Sequence, residues 1–292
     1  DCHPRQIANI VHGVAKCGLR GGVQANVRHL FAAVAETTLR RGLHDFNPQD
    51  LANTVWAYAT AGVQAEALYA AVADAAVRRG LHDFNPQGLA NTVWAYTVAD
   101  DARHLELLRL FARQVSNTFA DSTFSLQQMQ QLHQWQTWAL LLGERTMSSL
   151  IHCSYRQRCR KAALTSPTRS SSLQHEVGRR LSELVKCGLE EEFIDMATSY
   201  SLDFAVPSLR LAIEVDGPSH FLLPAGRGAL QAPRGKTLLK RRLLAMANWC
   251  VVAIPYFEWD ALLSEEAQRL YLECKLSSLL SERSDMWVKQ AK

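Results

Sequence analysis

In the first half of the chain, apolar and polar positions follow a helical period, and the helices come in pairs. Between Asn26 and Arg41, the residues Leu30, Val34 and Thr38 recur on one stripe. This predicts an amphipathic helix with Gly42 as its C-cap. A second helix is predicted from Asn47 as N-cap, with Pro48 at the first helical position and Asp50 in the first turn, where its charge suits the helix dipole. Leu51, Val55, Tyr58 and Ala59 mark its buried face, and Gly62 ends it.

The pair is a repeat. Residues Arg41–Tyr58 recur at Arg79–Tyr96, a period of 38, and of 18 positions only Asp50/Gly88 differs. A partial copy precedes them at Pro4–Val11 and a degenerate one follows at Phe124–Leu132. One helical hairpin cannot bury both its faces, so neighbouring units must stack. Residues 1–150 are therefore expected to form an α-helical repeat solenoid of 38-residue hairpins. The chain opens at Asp1, within a repeat, and is expected to be a fragment of a longer protein.

Beyond residue 150 the period is lost. Residues 151–175 hold Arg156, Arg158, Arg160, Lys161 and Arg169 with no acid, followed by a Ser-rich run, and are expected to be a basic linker. From 176 to 292 the pattern alternates between types. Ser172–Gly188 reads as a helix, Ser201–Val206 and Arg210–Val215 as strands, Thr237–Ala247 as a helix, Cys250–Ile254 as a buried strand, and Glu258–Leu280 as helix in two pieces. Helix, two or three strands, helix, strand and helix make a small α/β domain.

Composition narrows the class. The chain is 48% hydrophobic and 21% charged, which excludes a wholly disordered polymer. No apolar run of about 18 residues exists, so no membrane span is predicted. Net charge is +4, and residues 151–292 carry 20 basic and 16 acidic side chains, so the excess is C-terminal. Seven scattered cysteines without a CxxC pair fit neither a disulfide framework nor a zinc site, and a reducing compartment is expected.

Asp203, Glu214 and Asp216 fall on or at the ends of adjacent predicted strands, and period two puts Glu214 and Asp216 on one face. A carboxylate in a buried strand is costly unless it is paired or binds a cation. Converging acids would form an oxygen-ligand site suited to Mg²⁺. His220 follows the Gly217-Pro218 turn, and Arg227, Arg234, Lys236, Lys240, Arg241 and Arg242 follow in a stretch without acids from Gly217 to Phe257. Acids beside a basic, glycine-rich loop suit phosphodiester chemistry and RNA-backbone binding. The same residues also fit a strand-end cap, an ion pair, a turn and a solvated face. Asn9, Asn53 and Asn91 share one repeat position, as do Trp56 and Trp94. Because they are identical from copy to copy, they read as a structural ladder and inter-unit packing. Positions that differ, such as Asp50 against Gly88, are the expected readers of RNA bases.

Four motifs in order carry a resemblance: Leu202-Asp-Phe-Ala-Val-Pro207, Ile213-Glu-Val-Asp-Gly-Pro-Ser-His-Phe221, Gly235-Lys-Thr-Leu-Leu-Lys-Arg-Arg-Leu243 and Ile254-Pro-Tyr-Phe-Glu-Trp259. Together they resemble the RAP domain, an RNA-binding domain, with its motif core at 200–262. The 38-residue units resemble octotricopeptide repeats. Repeats of this kind followed by a RAP domain are similar to algal organellar RNA-maturation factors and to the FAST kinase-like mitochondrial proteins. The resemblance implies a fold similar to the PD-(D/E)xK nucleases, especially the very-short-patch-repair type. On that pattern Asp203 matches the first metal-binding acid and Glu214 the second, and both are candidate Mg²⁺ ligands. Asp216 stands where the common pattern has Lys, with Lys240 or His220 as substitutes, and Glu176 is a further acid. The resemblance implies single-stranded organellar mRNA or rRNA as partner, within a ribonucleoprotein complex. It also implies a location in the chloroplast or mitochondrial matrix, with no membrane contact and no cofactor needed for binding. Two alternatives stand beside RNA binding: a Mg²⁺-dependent endoribonuclease, and a protein-interaction scaffold.

Overall fold

The Asn-Pro pairs that punctuate the repeats set the helix starts. In a computed structural model describing residues 3–17, 27–121, 124–144, 149–165, 170–185, 188–222 and 231–290, helix α3 (Pro48–Ala61) is capped by Asn47. The Asn47 side chain accepts the Asp50 N–H at 2.8 Å, and the Asp50 carboxylate accepts the Asn47 N–H at 3.2 Å. Such a reciprocal cap satisfies two of the donors that every helix start leaves open. At α5 (Pro86–Ala99), Asn85 repeats the first half of the cap, but Gly88 has no side chain to return the second. Both helices end on a left-handed residue, Gly62 (φ 62°) and Asp100 (φ 58°).

The chain divides into two compact units: residues 1–166 with 220–243, and residues 167–219 with 244–292. In the first, α1 (Pro4–Cys17), α3, α5 and α7 (Leu126–Leu141) lie side by side in one layer. Helices α2 (Val27–Arg41), α4 (Glu66–Arg79) and α6 (Leu105–Asp121) form the other. Helix α5 is buried from Gly88 to Val98, as expected where a helix has neighbours on several sides.

Equivalent residues make equivalent bonds. The Tyr58 hydroxyl donates to the Phe31 carbonyl at 2.6 Å, and the Tyr96 hydroxyl to the Tyr69 carbonyl at 2.7 Å. Both tie a helix of one layer to its partner in the other. Trp94 donates to Gln134 at 2.7 Å, and Trp56 packs against His12 with ring centroids 4.9 Å apart.

Part of the expected linker at 151–175 is helical, and residues 166–169, with Arg169, lie outside the described residues. Residues Cys153–Leu164 form helix α8, which packs on α7 and extends the first layer. Buried Cys159 and Ala162 face that contact, and the Gln130 side chain donates to the Ala162 carbonyl at 3.1 Å. Among charged residues, the sequence shows only the solvent-facing side of this helix, which is why the stretch resembles a linker.

The second unit starts with α9 (Ser172–Leu184) and holds a four-stranded sheet in the order β1 (Glu190–Ile194), β2 (Ser201–Val206), β3 (Leu211–Asp216), β4 (Cys250–Pro255). β1–β2 and β2–β3 are antiparallel, and β3–β4 is parallel. A parallel pair needs a long crossover, supplied by the segment containing α10 (Gly235–Met246). α11 (Tyr256–Trp259) and α12 (Glu265–Gln290) complete the unit. Its core joins Val177 and Leu181 of α9, Phe204, Val206, Ile213, Val215, Val252 and Ile254 of the sheet, and Trp259 and Leu272.

Candidate nucleic-acid interface

The three acids singled out in the sequence share one sheet face. The core residues Phe204, Ile213 and Val215 occupy the other face, so alternation puts Asp203, Glu214 and Asp216 opposite them. Phe204 pairs with Ile213, and extending that register by one places Asp203 opposite Glu214. Glu214 and Asp216 are 2% and 1% exposed, and Asp203 is half-buried. The Asp203 carboxylate accepts the Val215 N–H at 2.7 Å. Val215 lies beyond the last backbone pair between β2 and β3, so the side chain replaces a missing main-chain acceptor. Asp203 thus holds the β3 backbone where the β2–β3 ladder stops. Glu176 accepts from Gln268 of α12 at 2.8 Å, which joins two helices.

These acids do not fit a complete metal site. Among the described residues, no three side chains of His, Cys, Asp or Glu come together in a way that could hold a metal ion.

The basic segment has a different setting, within the first unit. His220–Leu222 runs back beside residues 232–234: Phe221 bridges to Pro233, Arg234 N–H donates to the His220 carbonyl at 2.9 Å, and the Arg234 side chain donates to the Phe221 carbonyl at 3.1 Å. Thr237 donates to the same His220 carbonyl at 3.3 Å. Arg227 lies outside the described residues.

Helix α10 then docks on the repeats. A Cβ at Gly235 would lie 1.7 Å from the Ala59 carbonyl oxygen, so only glycine permits this approach to the C-terminal end of α3. Seven residues on, Arg242 donates to the Val98 carbonyl at 3.1 Å and to the Thr97 carbonyl, with Asp100 3.4 Å from its guanidinium. Thr97 and Asp100 occupy the repeat positions of Ala59 and Gly62. Seven residues of helix rise span about 10 Å, close to the spacing of packed helices. One short helix therefore meets the ends of two consecutive repeat helices. Its positive N-terminus faces the carbonyl end of α3, and a guanidinium covers the carbonyl end of α5, both favourable to the helix dipoles.

Of the basic residues picked from the sequence, Lys236 is exposed, while Arg234, Lys240, Arg241 and Arg242 are half-buried. The crowding around the Lys236 ammonium, then the like charge of Lys240 one turn on, lowers its pKa. Asp50 is 5% exposed and held in its cap, and Gly88 is buried, so this variable position does not face a base. Asn91 is 4% exposed and accepts from Gln87 at 2.8 Å and Gln131 at 3.2 Å, which makes it a rung of a ladder from α5 to α7.

Sequence reasoning missed two features. Asp195, 3% exposed, accepts from Trp249 at 3.0 Å and from the Thr198 N–H at 2.9 Å, while Arg210 stacks on Trp249 at 4.4 Å. No local pattern links residues so far apart. An open cleft of about 430 Å³ in the first unit is lined by Gln64, Glu66, Tyr69, Asp100, Asp101 and Arg103, among others. It contains no residue selected from the sequence. Buried Asp101 is engaged there by Arg103 at 3.0 Å.

Comparison with known proteins adds identity to this geometry. Residues 12–111 match the model of the Tbc2 translation factor N-terminal domain. A chloroplastic RAP domain-containing protein of Oryza sativa subsp. japonica is 39% identical over 103 residues, which is 35% of this chain and 15% of that relative's length. The RAP domain model matches residues 213–275, which span β3, α10, β4 and the start of α12. The chain therefore carries a RAP domain at 213–275, preceded in sequence by stacked helices.

Proposed function

We propose that this protein is an RNA-binding factor of organellar RNA metabolism, acting in RNA processing, mRNA stability, rRNA maturation or translation. The RAP-domain match at 213–275 carries this reading. The similarity to a chloroplastic RAP protein supports an organellar location, with the chloroplast ahead of the mitochondrion. The match to a translation-factor domain at 12–111 supports a role in expressing an organellar transcript. The helical stack, whose 38-residue units resemble octotricopeptide repeats, supplies an extended surface for single-stranded RNA. The invariant Asn and Trp positions build the scaffold, so recognition falls to exposed side chains.

The test is binding of the purified chain to labelled single-stranded RNA across a salt series. RNA binding should weaken steeply with salt, because phosphate contacts release counterions. Affinity no better than that of an unrelated protein of equal charge would overturn the reading and favour a protein scaffold.

A second reading, Mg²⁺-dependent RNA cleavage in a PD-(D/E)xK-like fold, draws support from Asp203 lying opposite buried Glu214. The donor set as arranged is incomplete, so no cleavage step is derived from it. The same RNA, incubated with Mg²⁺ or EDTA, tests this reading. Cleavage only with Mg²⁺, lost in an Asp203→Asn/Glu214→Gln variant that still folds, would establish it.

A further inference from the structure

Helix α8 places four cations, Arg156, Arg158, Arg160 and Lys161, within twelve residues that include no acid. Arg158, Arg160 and Lys161 are exposed, and Arg156 is half-buried. At 100° per residue, Arg160 and Lys161 fall on the arc opposite buried Cys159 and Ala162, while Arg158 lies at its rim beside Ala162, one turn before Lys161. Side chains three and four residues apart on such a surface sit about 5–6 Å from each other.

Local structure does not account for this charge. A cation in the last turn suits the helix dipole, which explains Lys161. Arg156 lies in the first turn, where the dipole opposes it. Some exposed arginines elsewhere have acids beside them: Arg40 with Glu36, Arg103 with Asp101 and Glu66, Arg269 with Glu266 and Glu273. Among the described residues, Arg156, Arg158 and Lys161 take part in no ion pair. Like charges close together on one helix repel each other, and an anionic ligand relieves that cost.

The face also has a rigid base. Tyr155 stacks on Phe119 with centroids 4.7 Å apart and planes 12° apart. Phe119 is buried, and the Arg158 guanidinium lies 5.4 Å from its ring centroid. An arginine already held over a ring loses less freedom when it grips a phosphate. Packed on α7, α8 continues the layer formed by α1, α3, α5 and α7, so a strand following that layer reaches it.

We propose that the exposed face of α8 is a binding site for the sugar-phosphate backbone of single-stranded RNA. This rests on the RNA-binding reading above and assigns it to a helix outside the RAP domain. The site neutralises phosphates and positions the strand, and it carries no base specificity.

The experiment uses the full 292-residue chain, a labelled 30-nucleotide poly(U) and a salt series. Arg158→Gln/Lys161→Gln changes two solvent-facing side chains, so the fold should hold, as thermal unfolding will check. Arg78→Gln/Arg79→Gln makes the same charge change on the exposed end of α4. Removing two phosphate contacts should lower the slope of log affinity against log salt by about 1.4 and weaken binding about tenfold at low salt. The α4 variant should keep the wild-type slope. Equal losses in both variants would reduce the effect to net charge and overturn the proposal. An unchanged α8 variant beside an RNA-binding wild type would overturn this proposal alone. A wild type that fails to bind poly(U) would overturn the RNA reading with it. Loss of poly-glutamate binding with RNA binding intact would reassign the face to an acidic protein and overturn it too.

Discussion

The two units satisfy their buried polar groups by different means. In the repeat stack the solutions recur from copy to copy. Thr54 and Thr92 each donate to the carbonyl four residues earlier, Tyr58 and Tyr96 each to a carbonyl 27 residues earlier, and Asn47 and Asn85 each cap their own helix. In the sheet unit each solution occurs once. Asp195 waits for Trp249, Asp203 for Val215, and Glu176 for Gln268. Repetition lets one sequence motif pay the same entropy cost with the same contact in each copy. A sheet with a crossover must instead assemble before its polar groups find partners.

The sharpest way to break this contrast is at the two tight glycines. Gly235 faces a backbone carbonyl in the repeat unit, whereas a Cβ at Gly178 would meet the Phe204 ring at 2.7 Å in the sheet unit. A ring can shift and a helix backbone cannot. Gly235→Ala should therefore cost about 3 kcal/mol and Gly178→Ala about 1 kcal/mol, as read by denaturant unfolding. Equal costs would show that the α3 end yields as easily as a side chain.

Arg242→Met comes next. It removes the guanidinium from the α5 carbonyls and from Asp100, and should lower stability by about 2 kcal/mol. If Arg242 serves the protein and not RNA, the salt slope of RNA binding stays at the wild-type value. A slope lower by about 0.7 would place a phosphate on Arg242.

Tyr96→Phe tests the recurring bonds. It leaves the Tyr69 carbonyl without its hydroxyl donor inside the stack and should cost about 1 kcal/mol. Tyr58→Phe should cost the same within error if the contacts truly repeat.

The smallest effect concerns pH and lies in the sheet unit. Burial alone would raise the Glu258 pKa, but hydrogen bonds from Tyr271 at 2.7 Å and Lys275 at 3.0 Å offset it, and the net shift is downward. A lowered carboxylate pKa contributes stability above the unfolded pKa, and that contribution fades as pH falls through the folded value. Tyr271→Phe should raise the Glu258 pKa, observed by carbon-detected NMR titration, and flatten stability below about pH 5. An unmoved pKa would leave Lys275 as the whole cause. In the repeat unit, burial pushes the Cys159 thiol up to about 12, so it should stay unreactive towards alkylating reagents at neutral pH while exposed Cys153 reacts.

Much of the repeat unit was legible along the chain. The N-caps at Asn47 and Asn85 and the helix ends at Gly42 and Gly62 are short-range features, and each lies where the pattern put it. The ladder role of Asn91 was legible too, because identity between copies signals scaffold. β1 was not. Its Glu-Glu-Glu-Phe-Ile reads as solvated chain, and only pairing with β2 makes it an edge strand, whose charges discourage further pairing. α8 was missed for a related reason. Its buried side is small, with Cys159 and Ala162 as its buried residues, and its charges dominate the pattern. Among the site residues, the sequence placed Asp203, Glu214 and Asp216 on neighbouring strands. It could not show that Asp203 caps the Val215 N–H, because that bond depends on where the β2–β3 ladder stops.

By itself, the sequence determined the helix boundaries of the repeats, the strands β2, β3 and β4, and the motifs of a RAP domain, since caps, alternation and motif order are written in neighbouring residues. Only the tertiary structure decided which charges face solvent and which serve the fold. Arg242 and Arg158 are the same residue type in equally basic stretches. One covers the end of α5, while the other rests on Phe119 at the surface of α8. The difference comes from packing between helices far apart in the chain, which a basic run alone does not encode.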